Sequence, residues 1–226
     1  VRIFNSRSRL VILAFAGSNR NIATSFIRPV LRDNRVSRIH QMSTKRVLVP
    51  IADGSEEIET TCITDTLTRF GASVTVASVM PDLVCTMSRG IKISADVFIQ
   101  DAAEEEWDLI AIPGGLPGAE HLRDSKPLIQ LLEKQNKAGK LYAAICASPA
   151  LVLATHGLIT EGATCYPAAA FRDSLKNPVD DDVVVKDNLT TSKGPGTSLK
   201  FALTLGEQMY GKDKANEIAS AMLVER

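Results

Sequence analysis

Tyr142-Ala-Ala-Ile-Cys146-Ala-Ser-Pro-Ala-Leu151 is the stretch on which the fold turns. An apolar run reaches a cysteine, small residues flank it, and helix-forming sequence begins at once. A strand open to water on one face would alternate apolar with polar residues, so a continuous run from Leu141 to Ile145 predicts a central strand covered on both faces. Ser148 to Thr155 then reads as a helix, with Gly157 as its stop. A strand feeding directly into a helix is half of a crossover unit between parallel strands.

The same grammar repeats outward. Upstream, Leu109–Ile112 is a second buried strand, closed by Pro113-Gly114-Gly115, and a helix from about Ser125 to Ala138 ends at Gly139. Further upstream, Val47–Ile51 is an apolar strand. It leads into a helix over Glu57–Phe70, where Ile58, Cys62, Ile63, Leu67 and Phe70 are expected on one apolar face. Ser73–Val79 is a Val- and Thr-rich strand, and Val84–Thr86 with Ile91–Ser94 makes a small hairpin around Ser88-Arg89-Gly90. Downstream, Val183–Val185 and Leu189–Ser192 pair around Asp187-Asn188, before a long helix over Ser198–Tyr210. Strands alternating with helices predict a mostly parallel sheet with helices on both faces. No internal repeat or linker interrupts it, so residues 42–226 read as one domain.

The chain has 226 residues, 45% hydrophobic and 23% charged, enough for one domain with a substantial core. Its formal net charge of zero hides an asymmetry. Residues 1–41 hold eight arginines and a single acid, Asp33, which leaves that segment at +7 and the rest at −7. An acidic body argues against nucleic acid as a partner, because phosphate binding needs a positive surface. The apolar run Leu10–Gly17 is too short to span a bilayer. The Arg- and Ser-rich segment has the composition of a mitochondrial or plastid transit peptide, implying one of those organelles. Met42-Ser-Thr-Lys leads straight into the first strand, so residues 1–41 also fit upstream sequence ahead of a native start at Met42, which would leave the protein cytoplasmic. Either reading predicts disorder there. The four cysteines, Cys62, Cys85, Cys146 and Cys165, show no CxxC pair and no spacing suited to metal, and are expected as free thiols.

Three segments carry chemistry-bearing residues. Cys146 has the setting of a nucleophile elbow, in which a strained strand-to-helix turn exposes the nucleophile and small neighbours let the backbone pass close. At a helix N-terminus its pKa is expected to fall, and the Ala147 N–H would be free for an oxyanion. A buried structural cysteine also fits the spacing. Pro113-Gly114-Gly115-Leu-Pro-Gly118 brings backbone donors within reach of a ligand, with the Gly115 N–H as a second oxyanion donor, or is a plain tight turn. In Asp53-Gly-Ser-Glu-Glu-Ile-Glu59, Glu56 and Glu57 read as solvated acids of a first helical turn. Glu59 is either another of these or a carboxyl drawn inward against the thiol. His156 reads as a helix cap, His121 as a pocket candidate, and Arg89 as a surface or interface residue.

Lys45-Arg-Val-Leu-Val-Pro-Ile-Ala-Asp-Gly-Ser-Glu-Glu-Ile-Glu59, Pro113-Gly-Gly115, Ala143-Ala-Ile-Cys146-Ala and Thr191-Ser-Lys-Gly-Pro-Gly-Thr197 together resemble the ThiJ/PfpI superfamily, in its parkinsonism-associated deglycase (DJ-one) branch. The resemblance spans about residues 45–220. It implies a flavodoxin-like three-layer sandwich and a homodimer. It implies that Cys146 is an oxidisable nucleophile, Glu59 its proton partner, and Gly114, Gly115, Ala147 and Tyr166 the surroundings of an oxyanion and substrate site. The implied activities are cofactor-free conversion of methylglyoxal or glyoxal to hydroxy acids, deglycation of glycated groups, and protection against oxidative stress. A redox sensor or chaperone acting through oxidation of Cys146 is the alternative, and a cysteine peptidase or amidotransferase the third. Tyr166 stands where many members place histidine. Tyrosine is a poor base near neutral pH, which counts against peptidase chemistry. Lys193 stands where arginine is common, keeping the charge but losing the bidentate fork. The expected partners are small reactive aldehydes or glycated groups, with no nucleic acid, no membrane and no cofactor or metal.

Overall fold

The computed structural model describes residues 44–225. The segment read as a transit peptide or upstream sequence lies outside them.

Seven strands form one sheet: β1 (Arg46–Ile51), β2 (Ser73–Ser78), β5 (Val97–Phe98), β6 (Leu109–Ile112), β7 (Leu141–Ile145), β8 (Val183–Lys186) and β9 (Leu189–Ser192). Their order across the sheet is β5-β2-β1-β6-β7-β9-β8, all parallel except for the β8–β9 pair. A separate antiparallel hairpin joins β3 (Val84–Thr86) to β4 (Lys92–Ser94). The helices are α1 (Glu57–Arg69), α2 (Ile99–Ala103), α3 (Gly118–Asp124), α4 (Lys126–Lys137), α5 (Ala169–Arg172), α6 (Ser198–Tyr210) and α7 (Lys212–Ala221). The segment after β7 is a π-helical turn, Pro149–Ala154.

Side chains alternate across a strand, so a continuous apolar run serves two cores at once. Val47, Val49, Ile51, Ala111 and Ile145 pack with Ile63 and Leu67 of α1 and Phe201 and Leu205 of α6. Leu48, Ile110, Ile112 and Ala144, on the other face, pack with Ile99 of α2, Leu122 of α3, and Leu128 and Leu132 of α4. The central strands are thus apolar throughout because both faces are covered, giving the three-layer flavodoxin-like sandwich. From β1 the chain crosses to β2 on one side, while β6 and β7 lie on the other. The strand order therefore reverses between β1 and β6, the place where open α/β sheets form a crevice beyond their carboxyl ends.

Three details of α1 differ from the sequence reading. Ile58, expected on the apolar face, is 51% exposed. The inward face instead carries Glu59, Thr60, Ile63, Thr66 and Leu67. Cys62, also expected inside, is only partly buried. Glu56 and Glu57, read as solvated, are buried. Glu56 caps the helix by accepting the Glu59 N–H at 2.8 Å, and Glu57 accepts the Ser88 hydroxyl at 2.7 Å and the Arg89 N–H at 2.8 Å. These bonds tie the β3–β4 turn to the start of α1. Among the described residues no helix is long and apolar enough to cross a membrane.

Candidate functional site

Three connections meet at the crevice: the β1–α1 loop, the glycine loop after β6, and the elbow after β7. Cys146 has φ 66°, a left-handed conformation that costs a non-glycine residue roughly 1–3 kcal/mol and persists only where its surroundings impose it. They do so here. The Cys146 N–H donates to Ser192 O at 3.0 Å, and Cys146 O accepts the Tyr166 N–H at 2.7 Å. Ser148, buried one step into the next helix, donates its hydroxyl to Pro113 O at 2.6 Å and fixes the elbow to the glycine loop.

The N–H groups of Gly115 and Ala147 lie close enough to the Cys146 sulfur to favour its thiolate. That convergence requires glycines. Gly115 has φ +89°, and a β-carbon there would lie 2.5 Å from Glu56 N. A β-carbon on Gly114 would lie 2.6 Å from the Cys146 β-carbon and 2.9 Å from Ile145 O.

Glu59 is fully buried. Its Oε2 accepts the Gly114 N–H at 2.7 Å. Its Oε1 has no hydrogen-bond donor, and the carboxyl also interacts with the Cys146 thiol. Burial pushes the Glu59 carboxyl up to about 7, against the opposing pull of the Gly114 N–H. The expected lowering of the Cys146 pKa by a helix end does not prevail. Burial, then the Glu59 carboxylate, push the thiol up to about 12, while the Gly115 and Ala147 N–H groups only partly offset them. The two groups therefore titrate as a pair. Above about pH 7 the pair holds one proton, and sulfur becomes thiolate when that proton sits on Glu59.

Above the sulfur lies a cavity of about 380 Å³. Cys146, Gly115, Ala147 and Tyr166 line it. Arg89, read as a surface or interface residue, also lines it, together with Ser88, Glu56 and Phe171. Sequence reasoning missed these last three. Ser88 and Arg89 reach the site through long-range bonds to Glu57 and from the Ser88 N–H to Ser55 O at 2.8 Å, which no local pattern encodes. His121 does not line the cavity, and His156 bonds Arg123 O through Nε2 at 3.0 Å, remote from it. Lys193 is bound to Asp180 at 3.2 Å rather than turned to the sulfur. Burial also raises the thiols of Cys62, Cys85 and Cys165, but among the cysteines only Cys146 lines the cavity.

Known proteins are similar to this chain. The model of the DJ-1/PfpI family matches residues 45–208. Protein DJ-1 homolog B of Arabidopsis thaliana is 44% identical over 195 residues, covering 84% of this chain but 44% of that protein. Homolog A of the same plant is matched over 47% of its length, so the chain spans about half the length of these two relatives. The glutathione-independent glyoxalase DJR-1.2 of Caenorhabditis elegans is 36% identical over 184 residues, covering 80% of this chain and 96% of that one. Among solved structures, oxidized Toxoplasma gondii DJ-1 superposes with a TM-score of 0.79 at 46% identity, covering 81% of this chain and all of that one. With the family model matching more than two thirds of its length, the chain belongs to the DJ-1/PfpI family.

Proposed function

We propose that the protein is a cofactor-independent glyoxalase that converts methylglyoxal or glyoxal to the hydroxy acid without glutathione, using Cys146 as nucleophile and Glu59 as proton carrier. One observation carries this reading: the buried Glu59 carboxyl has one oxygen held by Gly114 and the other left for the proton of Cys146. A carboxyl poised at about 7 can both take and return a proton at neutral pH. The C. elegans relative named as a glutathione-independent glyoxalase supports the same chemistry.

With the proton on Glu59, the Cys146 thiolate adds to the aldehyde carbon, giving a hemithioacetal whose oxyanion the Gly115 and Ala147 N–H groups stabilise. Glu59 gives its proton to that oxyanion and, as a carboxylate again, takes the proton from the carbon and returns it to the neighbouring keto carbon, while the hydroxyl proton passes to the keto oxygen. The first carbon becomes a thioester and the second an alcohol. Water hydrolyses the thioester, releasing the hydroxy acid and the thiol. Oxidation at one carbon balances reduction at the other, so no external redox partner is consumed. The test is formation of lactate from methylglyoxal by the purified chain without added glutathione. Its absence would overturn the reading.

A second reading has an observation of its own in favour. A protonated Glu59 can donate a hydrogen bond to an oxidised Cys146, and the Toxoplasma relative was solved in an oxidized form. Redox sensing through sulfinate at Cys146 would use the same pair. Deglycation, homodimer formation and an organellar address for residues 1–41 are further proposals. They rest on the family resemblance and the tail's composition, and are tested by assays on glycated peptides, light scattering and localisation of the tagged chain.

A further inference from the structure

The cavity is much larger than methylglyoxal requires. At about 380 Å³ it falls within the roughly 300–1,000 Å³ of pockets that enclose drug-sized ligands. Beyond the sulfur and its two N–H groups, its lining combines the apolar Leu116, Tyr166, Phe171 and Pro195 with the polar Glu56, Ser88 and Arg89. Tyr166 and Phe171 meet edge to face, with ring centroids 6.4 Å apart and planes at 74°. The bond from the Tyr166 N–H to Cys146 O anchors this pair beside the nucleophile. Gly194 keeps the approach open, since a β-carbon there would lie 3.4 Å from the Tyr166 ring and 4.0 Å from the Cys146 sulfur. Leu116 and Tyr166 remain 52% and 45% exposed, although both are large and apolar in body. Exposed apolar side chains gathered at a cavity mark a ligand surface.

Resting on the glyoxalase reading, the geometry points to 2-oxoaldehydes that carry an aromatic group on the keto carbon as the substrate class, with Tyr166 and Phe171 forming the wall that receives the ring. With the aldehyde carbon at sulfur and its oxygen at the Gly115 and Ala147 N–H groups, the rest of the substrate must extend into the cavity. A methyl group leaves that space to water. A phenyl ring fills it against an aromatic pair, where offset and edge contacts are favourable. The reaction balances as before: an arylglyoxal and water give a 2-aryl-2-hydroxy acid, the aldehyde carbon being oxidised and the keto carbon reduced.

The test compares phenylglyoxal with methylglyoxal on the full chain, measuring mandelate and lactate formed rather than aldehyde consumed, because phenylglyoxal also modifies arginines. The Cys146→Ser chain supplies the background. The wild type is expected to favour phenylglyoxal in kcat/KM by about 10-fold or more, the scale set by filling an apolar pocket. Tyr166→Ala, at an exposed position with little bearing on folding, should bring the ratio of the two substrates close to one, and Phe171→Ala should lower it independently. A second readout needs no turnover: mandelate should protect Cys146 from iodoacetamide at about 10-fold lower concentration than lactate, and Tyr166→Ala should erase the difference. Methylglyoxal turned over as well as phenylglyoxal, or equal protection by the two acids, overturns the substrate class and leaves the glyoxalase reading standing. Failure to turn over either aldehyde overturns both.

Discussion

Gly114 binds Glu59 through its N–H at 2.7 Å, and its α-carbon is so close to Cys146 that an added methyl would sit 2.6 Å from the cysteine β-carbon. One glycine therefore sets both the orientation of the carboxyl and the approach of the thiol. The Gly114 N–H engages Oε2, which leaves Oε1 without a hydrogen-bond donor beside the thiol that interacts with the carboxyl. Burial makes that arrangement consequential. In water Glu59 would be a bystander carboxylate, whereas here its pKa is pushed up to about 7 and the proton can be traded with sulfur.

Gly114→Ala tests that geometry. The added β-carbon meets the Cys146 β-carbon and backbone atoms on both sides of the elbow, which cannot swing away as a flexible side chain could. The expected cost is about 1–3 kcal/mol of stability, as in overpacked cores. A displacement on the order of 1 Å at the sulfur predicts about a 100-fold fall in turnover. Thermal melting and methylglyoxal kinetics check the two effects, and unchanged kinetics in a folded variant would contradict the role given to Gly114.

The raised carboxyl predicts the pH profile. Below about pH 7 the pair holds two protons and cannot form the thiolate with Glu59 protonated by transfer, so kcat/KM should rise with pH up to about 7 and then level. Glu59→Gln should remove that bend from whatever rate remains.

The same group bears on stability with a definite sign. Its folded pKa lies above the ordinary 4.5, so its stabilising contribution is complete below about pH 4.5 and is lost as pH rises through about 7. The shift corresponds to roughly 3 kcal/mol. Glu59→Gln should therefore gain on the wild type by about that amount between pH 4 and pH 8, read by denaturant unfolding at the two values. A difference that does not change with pH would mean that the carboxyl is not held up by burial.

Much of this was readable in the sequence, for identifiable reasons. The runs Val47–Ile51, Leu109–Ile112 and Leu141–Ile145 announce buried parallel strands because both faces are covered, and each run ends at a site loop. Cys146, Gly114 and Gly115 stand out because turn chemistry is local. What stayed hidden depends on long-range pairing. Glu57 looks like an ordinary first-turn acid, yet it is held by Ser88 and Arg89 from a hairpin about 30 residues away. The direction of the Cys146 pKa shift was misread because the helix end is visible in sequence, while the burial and the facing carboxylate that outweigh it are not. Helices α2, α3 and α7 were passed over. The first two are short and carry too few turns for a helical period to register, and α7 follows α6 after the single residue Gly211.

Limited peroxide should take Cys146 to the sulfinate without forming a disulfide. All four cysteines are free; Cys165 is buried in a separate apolar cluster, and the buried Cys85 thiol meets the Ser78 hydroxyl at 3.4 Å. Peptide masses should show two added oxygens at the Cys146 peptide. A cross-link from Cys146 to Cys62 or Cys165 would contradict the assignment.

The most direct measurement is methylglyoxal turnover and iodoacetamide labelling of Cys146 on the same samples of wild type, Glu59→Gln and Cys146→Ser. If Glu59 carries the proton between the two carbons, Glu59→Gln keeps a labelled Cys146 and a melting transition but loses about 100-fold or more in lactate formation, the upper part of the range for general acid–base groups. Cys146→Ser, with an unactivated hydroxyl and no histidine lining the cavity, should form no lactate above background. Lactate formation that survives in Glu59→Gln at near the wild-type rate, with Cys146 still reactive, would contradict the account.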